Sequence, residues 1–529
     1  MKMNILNKAA ALLGLILCVA PSCSDFLERE DDGKLQEAEV FARFDKVNQL
    51  VTQLYSDMYR NSPGLNMIYS YNIGTLCDEL EFNNADNAPA LKILNGQLSA
   101  DPAAIGAVYG GSGYGWWWTY YQSIRKANKI IAGVKQYNTP DHPSRPGLLS
   151  KRIGEAYFFR AYYHYMILRF HGEMVYSDRV YSLEEEPASY AVRESVHASV
   201  EKMCRDLDEA ARRLPAKQEG KDTRWIQDNV PASFGSGQTR NQPTQEQVDM
   251  YEVIDNEANC GWDIYTAKEK GLYDDANPYV NRDPRFYRDI VYAGAILQGK
   301  EYNPADGSDA LTNTSGTDTR NTRTGYALRK FIHNDWSQTA SISGMPFPLI
   351  RLPEIMLVYA EALNETNGDV ATMRSMLDQI RERSFMKPVP ASFDGDKAVR
   401  RDYIERERRV ELFFENNRYF TVRYKGIMTN PAELSREESY LAMPVETRAQ
   451  AWFDGGNGQY PQTQHYVHGM QCVRDEANGK VVVNGKKYRM ERIESKQLAP
   501  RKVLPRDYFF PINSNEIAKT PSLVQNPGW

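Results

Sequence analysis

Three glutamates, Glu407, Glu411 and Glu415, recur at four-residue spacing and so share one face of a helix. Two carboxylates at a suitable separation are what a glycoside hydrolase uses. Arg408, Arg409 and Arg418 are interleaved with them, and alternating signs on one helix read as an ion-pair network. Glu155 with Arg160 reads the same way. His465 and His468 form an HxxH pair with no nearby Glu or Cys, which falls short of a metal set. Glu79 and Glu81 alternate with apolar residues and read as an exposed strand or loop edge. GxSxG, P-loop and HExxH patterns are absent. The run Gly110 to Trp118 offers different chemistry: its glycines let a loop come close to a ligand, and Tyr114, Trp116 and Trp118 supply broad flat rings. Trp117 precedes Tyr121 by four residues and Ile124 by seven, which puts it on the core side of a helix.

The N-terminus carries a second kind of chemistry. Lys2 and Lys8 flank an apolar run from Ala9 to Ala20, too short to cross about 30 Å of hydrocarbon but suited to the middle of an export signal. Ala20 and Ser22 then lead to Cys23. The pattern resembles a bacterial lipoprotein signal, in which the cysteine is acylated and becomes the new N-terminus. Acyl chains contribute about 0.8 kcal/mol per buried CH2, so several would anchor the chain durably to a membrane.

The chain has 529 residues with a formal net charge of -5, so no global positive field exists to hold a polyanion, and nucleic acid is excluded as a partner. No later stretch is apolar for long enough to span a membrane. Cys77, Cys204, Cys260 and Cys472 lack zinc-site spacing and read as mostly buried thiols, with room for one or two disulfides outside the cytoplasm. A first helix is predicted to start at Asp45 and carry Val47, Leu50, Val51 and Leu54. A second carries Tyr120, Ile124, Ala127 and Val134, and a third, Leu149 to Phe170, is apolar on most faces and so sits between others. A fourth runs from Val196 to Leu214. Periodicity resumes at Leu352, at Met373 and from Asp402 to Val422. The expected organisation is a signal peptide over 1–22, a lipid-anchored tether over 23–44 and a helical block over 45–215. An irregular insert over 216–344, a second helical block over 345–424 and an irregular C-terminal region over 425–529 follow. Helix-turn-helix pairing makes the fold mainly α, and so long an irregular insert usually carries function.

Several segments together resemble one family, the SusD-like (RagB/SusD) outer-membrane lipoproteins of Bacteroidetes. They are Ser22-Cys23-Ser24-Asp25-Phe26-Leu27, Ile124-Arg125-Lys126-Ala127-Asn128, and Gly154-Glu155-Ala156 with Arg160-Ala161-Tyr162-Tyr163. Pro243-Thr244-Gln245 with Tyr251-Glu252, Asn281-Arg282-Asp283-Pro284-Arg285-Phe286, and Arg351-Leu352-Pro353-Glu354 with Tyr359-Ala360-Glu361-Ala362 come next. Ile380-Arg381-Glu382-Arg383, Glu407-Arg408-Arg409 with Glu411-Leu412 and Glu415, Phe510-Pro511-Ile512 and Gln525-Asn526-Pro527-Gly528-Trp529 complete the series. Each is weak alone; their order along the whole chain is specific. Where the family often has Glu-Gly, this chain has Glu415-Asn416, and Asn tolerates the left-handed backbone that Gly would supply.

The resemblance implies TPR-like helix pairs in a right-handed superhelix, packed against a SusC-like TonB-dependent transporter, with the insert forming the ligand-binding face. It implies capture of oligo- or polysaccharide at the cell surface without catalysis; a minority branch takes peptides. No cofactor is indicated, although some relatives hold a structural calcium ion. Sugar recognition needs aromatic faces and planar hydrogen-bonding groups, and the loops that line the site in relatives hold both. Asp78, Asn83 and Asn84 follow the first helix, Tyr114, Trp116 and Trp118 open the second, and Tyr273, Tyr279 and Trp336 come from the insert. These nine are the expected glycan contacts, and Cys23 the lipidation site.

Overall fold

The computed structural model describes residues 36–61, 73–82, 89–101, 115–182, 184–214, 231, 233, 239–311, 321–332, 348–427, 463–495 and 501–529. Helix α1 (Phe44–Asn61) buries Val47, Val51 and Leu54 on one stripe, as their three- and four-residue spacing dictates. Helices α2 (Gly115–Gln136), α3 (Leu148–His171) and α4 (Val196–Ala211) follow, each packed on the one before, and α1 also touches α3. Aromatic residues surround α3 because it is the middle layer: Phe159, Tyr163 and Phe170 are wholly buried, and the Tyr163 hydroxyl donates to the Leu54 carbonyl of α1 at 2.7 Å. The segment up to Phe44 is more than a tether. It holds a short helix, Glu37–Phe41, whose Phe41 ring lies over Gly133 of α2, where any side chain would meet the ring at 2.5 Å.

Arg160 does not pair with Glu155. It reaches instead to Asp206 of α4 and, at 2.9 Å, to Asn128 of α2, whereas Glu155 pairs with Arg152. Two of the segments quoted above, one on α2 and one on α3, thus tie three helices together through a single guanidinium.

Helices α5 (Leu352–Glu365), α6 (Val370–Arg383) and α7 (Lys397–Glu411) form a second block around Leu357, Leu377, Ile380 and Ile404. The run from Asp402 to Val422 is not one helix. It breaks after Glu411, where Phe414 and Asn416 both adopt φ 61°, and resumes as α8 (Arg418–Tyr424). Asn416 does occupy the left-handed conformation.

The region read as irregular beyond α8 contains an antiparallel sheet of β3 (His468–Arg474), β4 (Val481–Val483) and β5 (Lys486–Glu494), with β5 central. Met470 faces Arg492 and Cys472 faces Met490 across the β3–β5 pair. This sheet, the insert and the end of α7 share one core that includes Tyr251, Phe286, Tyr326 and Phe413. Earlier in the chain, β1 (Leu80–Phe82) pairs with β2 (Asn241–Pro243), fastening the segment after α1 to the insert. Phe510, Ile512 and Leu523 enter the core of the first block, and the Phe510 amide donates to the Phe170 carbonyl at 2.8 Å. Among the described residues, Cys77, Cys204, Cys260 and Cys472 are free thiols, and of these Cys204 is exposed. No helix among the described residues is long and apolar enough to cross a membrane.

Candidate functional site

The charged motifs meet in one buried ionic core. Arg285 contacts Asp283 at 2.8 Å, Glu407 at 2.5 Å and Glu411 at 3.2 Å. Arg381 bridges Glu407 at 3.0 Å and Glu252 at 2.6 Å. Glu415 takes Arg351 at 2.5 Å and Lys330 at 2.9 Å, while Glu411 also pairs with Arg351 and Arg383. The four-residue-spaced carboxylates, Glu407 and Glu411 on α7 and Glu415 just beyond it, are therefore a structural network, each held by cations that other segments deliver.

Asp78, an expected glycan contact, belongs to this core. It is 1% exposed and pairs with Arg409 at 2.8 Å and Arg418 at 2.9 Å. Burial would raise its carboxyl, but the two guanidinium charges outweigh that and hold it at about 2. Glu79 and Glu81 are buried as well, not at an exposed edge: Glu81 lies 3.5 Å from Arg501, and Glu79 accepts from the Phe414 amide at 3.2 Å. Trp116 is likewise core. Its ring centroid lies 4.0 Å from that of Phe170, and it is 9% exposed. Tyr279 packs against Phe286 and Tyr292 at 5% exposure and presents no face to a ligand. Trp118 is half-buried on the first turn of α2, and Trp117 is buried against Tyr121 and His171. Asn83, Asn84, Tyr114, Trp336 and Cys23 lie outside the described residues.

Tyr273 is the expected residue that opens onto a cavity. About 490 Å³ in volume, the cavity lies between the insert and the face of the C-terminal sheet, with Tyr265 and Tyr273 on the insert side and His468, Met470, Met490 and Arg492 on the sheet side. Arg282, itself 1% exposed, fixes the insert wall by donating to the carbonyls of Val248, Tyr251 and Pro278, and lies 5.8 Å from the Tyr273 ring centroid. The cavity floor comes from a short helix, Gln245–Val248, capped by Thr244, whose hydroxyl accepts from the Gln247 amide and donates to the Asp78 carbonyl.

Two hydrogen-bonded chains run through this floor. In one, the Tyr326 hydroxyl donates to Gln245 at 2.7 Å, Gln245 donates to Asp249 at 2.6 Å, and Arg492 donates to Asp249 at 2.7 Å. In the other, Glu246 accepts from the His468 amide at 3.0 Å and faces His468 Nδ1 at 2.5 Å. Burial pushes the Glu246 carboxyl up, but His468 and Arg492 outweigh this and hold it below its ordinary value. Burial also opposes the charge on Arg492, and Asp249 and Glu246 overcome it. Glu246, Asp249 and Arg492 are thus held in place by one another and by His468. Half-buried polar tips beside tyrosine rings suit a ligand that alternates hydroxyls with apolar faces.

Gln245, Asp249, Tyr265, His468 and Arg492 were not singled out from sequence as ligand contacts. Pro243-Thr244-Gln245 is a signal that could have found the first, since it stands among the quoted motifs. His468 was visible as part of HxxH, but its partner Glu246 is 222 residues away.

A further cavity of about 350 Å³ lies along α3 between α4 and α5; its wall is mostly apolar, and Val200, Leu207, Ile355 and Val358 there are 38–54% exposed. Another, of about 640 Å³, lies between α3, α5 and α8, where Arg169, Glu361, Arg408 and Arg423 join apolar residues in its lining.

The sequence matches the SusD family over residues 211–529, more than half the chain, and a family described as starch-binding associating with outer membrane over residues 25–235. This chain belongs to the SusD family. Among solved structures, a SusD-like protein from Bacteroides fragilis is 19% identical, with a TM-score of 0.65 over 93% of this chain and 98% of that one. A SusD-like carbohydrate binding protein from the same organism is 19% identical, with a TM-score of 0.63 over 92% and 100%. A SusD homolog from Bacteroides thetaiotaomicron is 14% identical, with a TM-score of 0.56 over 94% and 99%. At these identities the likeness is one of fold. No curated protein matches the sequence.

Proposed function

We propose that the protein is a glycan-binding lipoprotein of the outer-membrane surface, anchored through acylated Cys23, which captures oligo- or polysaccharide and passes it to a SusC-like TonB-dependent transporter. The observation that carries this reading is the tyrosine-walled cavity with its fixed polar floor, in a chain of the SusD family. Capture without catalysis fits the chemistry, because Glu407 and Glu411, the closely spaced glutamates of α7, are 2% exposed at their side chains and tied to arginines. The apolar groove between α4 and α5 supports a protein partner, since patches of this kind on a soluble body mark interaction surfaces.

Calorimetric titration of the purified protein against plant, host and microbial polysaccharides, with a peptide mixture alongside, tests the reading. Heat is expected from one glycan class, and Tyr273→Ala should weaken that binding by about 1 to 3 kcal/mol, as aromatic anchors do. Heat from the peptides with silence from every glycan would overturn it.

A further inference from the structure

Resting on the glycan reading, we propose that the cavity selects uncharged saccharides and rejects those bearing carboxylates or sulfates. Arg492 is the guanidinium among the described residues of the cavity wall, and it is already committed: Asp249 lies 2.7 Å from it and Glu246 4.0 Å. A uronate approaching Arg492 would be the third anion around one cation. Asp275, also on the wall, adds another carboxylate, whose partner Lys268 is exposed beside it. Positive charge on the wall is therefore matched by negative charge, and Arg282 behind the wall, 1% exposed, is spent on three backbone carbonyls.

A cationic ligand fares no better. Both oxygens of Asp249 are occupied, one by Gln245 and the other by Arg492, and both oxygens of Glu246 accept from the His468 amide. An amine reaching either carboxylate would meet Arg492 beside it, whose positive charge repels a second cation. What remains for a ligand is hydrogen-bonding capacity that carries no unpaired charge: the outward nitrogen of His468, whose Nδ1 is turned to Glu246, and the hydroxyl of Tyr273 beside its ring. Sugar hydroxyls, which both donate and accept, satisfy such groups without bringing charge.

The test compares glycans that differ in charge alone. The full chain in detergent is titrated with maltoheptaose, cellohexaose, xyloglucan and mannan, and with the same glycans oxidised at C6 from the primary alcohol to the carboxylate. The oxidised form of whichever glycan binds is expected to bind at least tenfold more weakly. Asp249→Asn, which keeps the Gln245 contact but relieves Arg492 of one carboxylate, should narrow that gap at least threefold. The wild-type comparison decides the matter alone if the variant does not fold. Equal or tighter binding of the oxidised form would overturn the charge selection while leaving the glycan reading intact. Neutral binding untouched by Tyr273→Ala would place the ligand elsewhere and overturn it too, and silence toward every glycan in both forms would overturn the glycan reading itself.

Discussion

At the scale of single residues, Glu79 carries a cost that depends on pH. It is 1% exposed, Oε2 has no hydrogen-bond partner, and burial pushes its carboxyl from 4.5 up to about 7. Asp289 is pushed up to about 6 by the same cause. An acid whose pKa is higher folded than unfolded holds its proton more tightly in the folded state. Stability is therefore lost as pH rises from about 4.5 through 7, at about 1.4 kcal/mol for each pKa unit of difference. Asp78 acts in the opposite sense: its contribution is present above its ordinary value and fades as pH falls toward 2. Glu79→Gln is expected to raise the melting temperature at pH 8 and to leave it unchanged at pH 5, read by circular dichroism across a pH series. An equal gain at both values would show that ionisation is not the cause. The sequence misled here because alternation around Glu79 and Glu81 has the form of a half-exposed strand, whereas β1 is covered on both faces and its carboxylates are reached by Arg501 and a backbone amide from far along the chain.

At the scale of elements, the buried ionic core makes the motif arginines far more costly to lose than surface ones. Arg285→Ala leaves Asp283, Glu407 and Glu411 short of a shared cation and should destabilise the fold by about 3 to 5 kcal/mol. Arg179→Ala, which breaks an exposed, solvent-screened pair with Glu185, should shift the midpoint far less. Denaturant midpoints measure both, and similar values would mean that the core is as well solvated as the surface. Helices α1 to α7 were largely legible, because three- and four-residue spacing of apolar residues is a local signal and their burial enforces it. The break between α7 and α8 was less so: apolar residues continue through it, and two left-handed residues interrupt the helix without disturbing the pattern. The C-terminal sheet escaped notice because His468–Arg474 is short and mixes polar with apolar residues on both faces. A cavity whose floor is near residue 246 and whose wall is near residue 468 has no local signature at all.

At the scale of the whole molecule, the tyrosine-walled cavity proposed to take glycan and the apolar groove are separate surfaces, one on the insert and C-terminal sheet, the other along α3 between α4 and α5. Binding and docking should therefore be separable. Val200→Asp with Ile355→Asp is expected to abolish co-purification with the transporter while glycan affinity stays within twofold, measured by pull-down and calorimetry on the same preparation. Retained co-purification would place the docking face elsewhere.

The C-terminal stretch has a kinetic meaning as well as a structural one. Phe510 and Ile512 fill the core built by α2 and α3, and His171 and Phe510, 339 residues apart, meet through side chain and backbone. Contacts so remote close slowly, since chain entropy must be lost before they form. As the chain is made from its N-terminus, its earliest helices wait, apolar side chains uncovered, for a segment synthesised near the end. The first block is thus begun early and completed last, and until then it is the part most exposed to aggregation and to whatever holds nascent chains open.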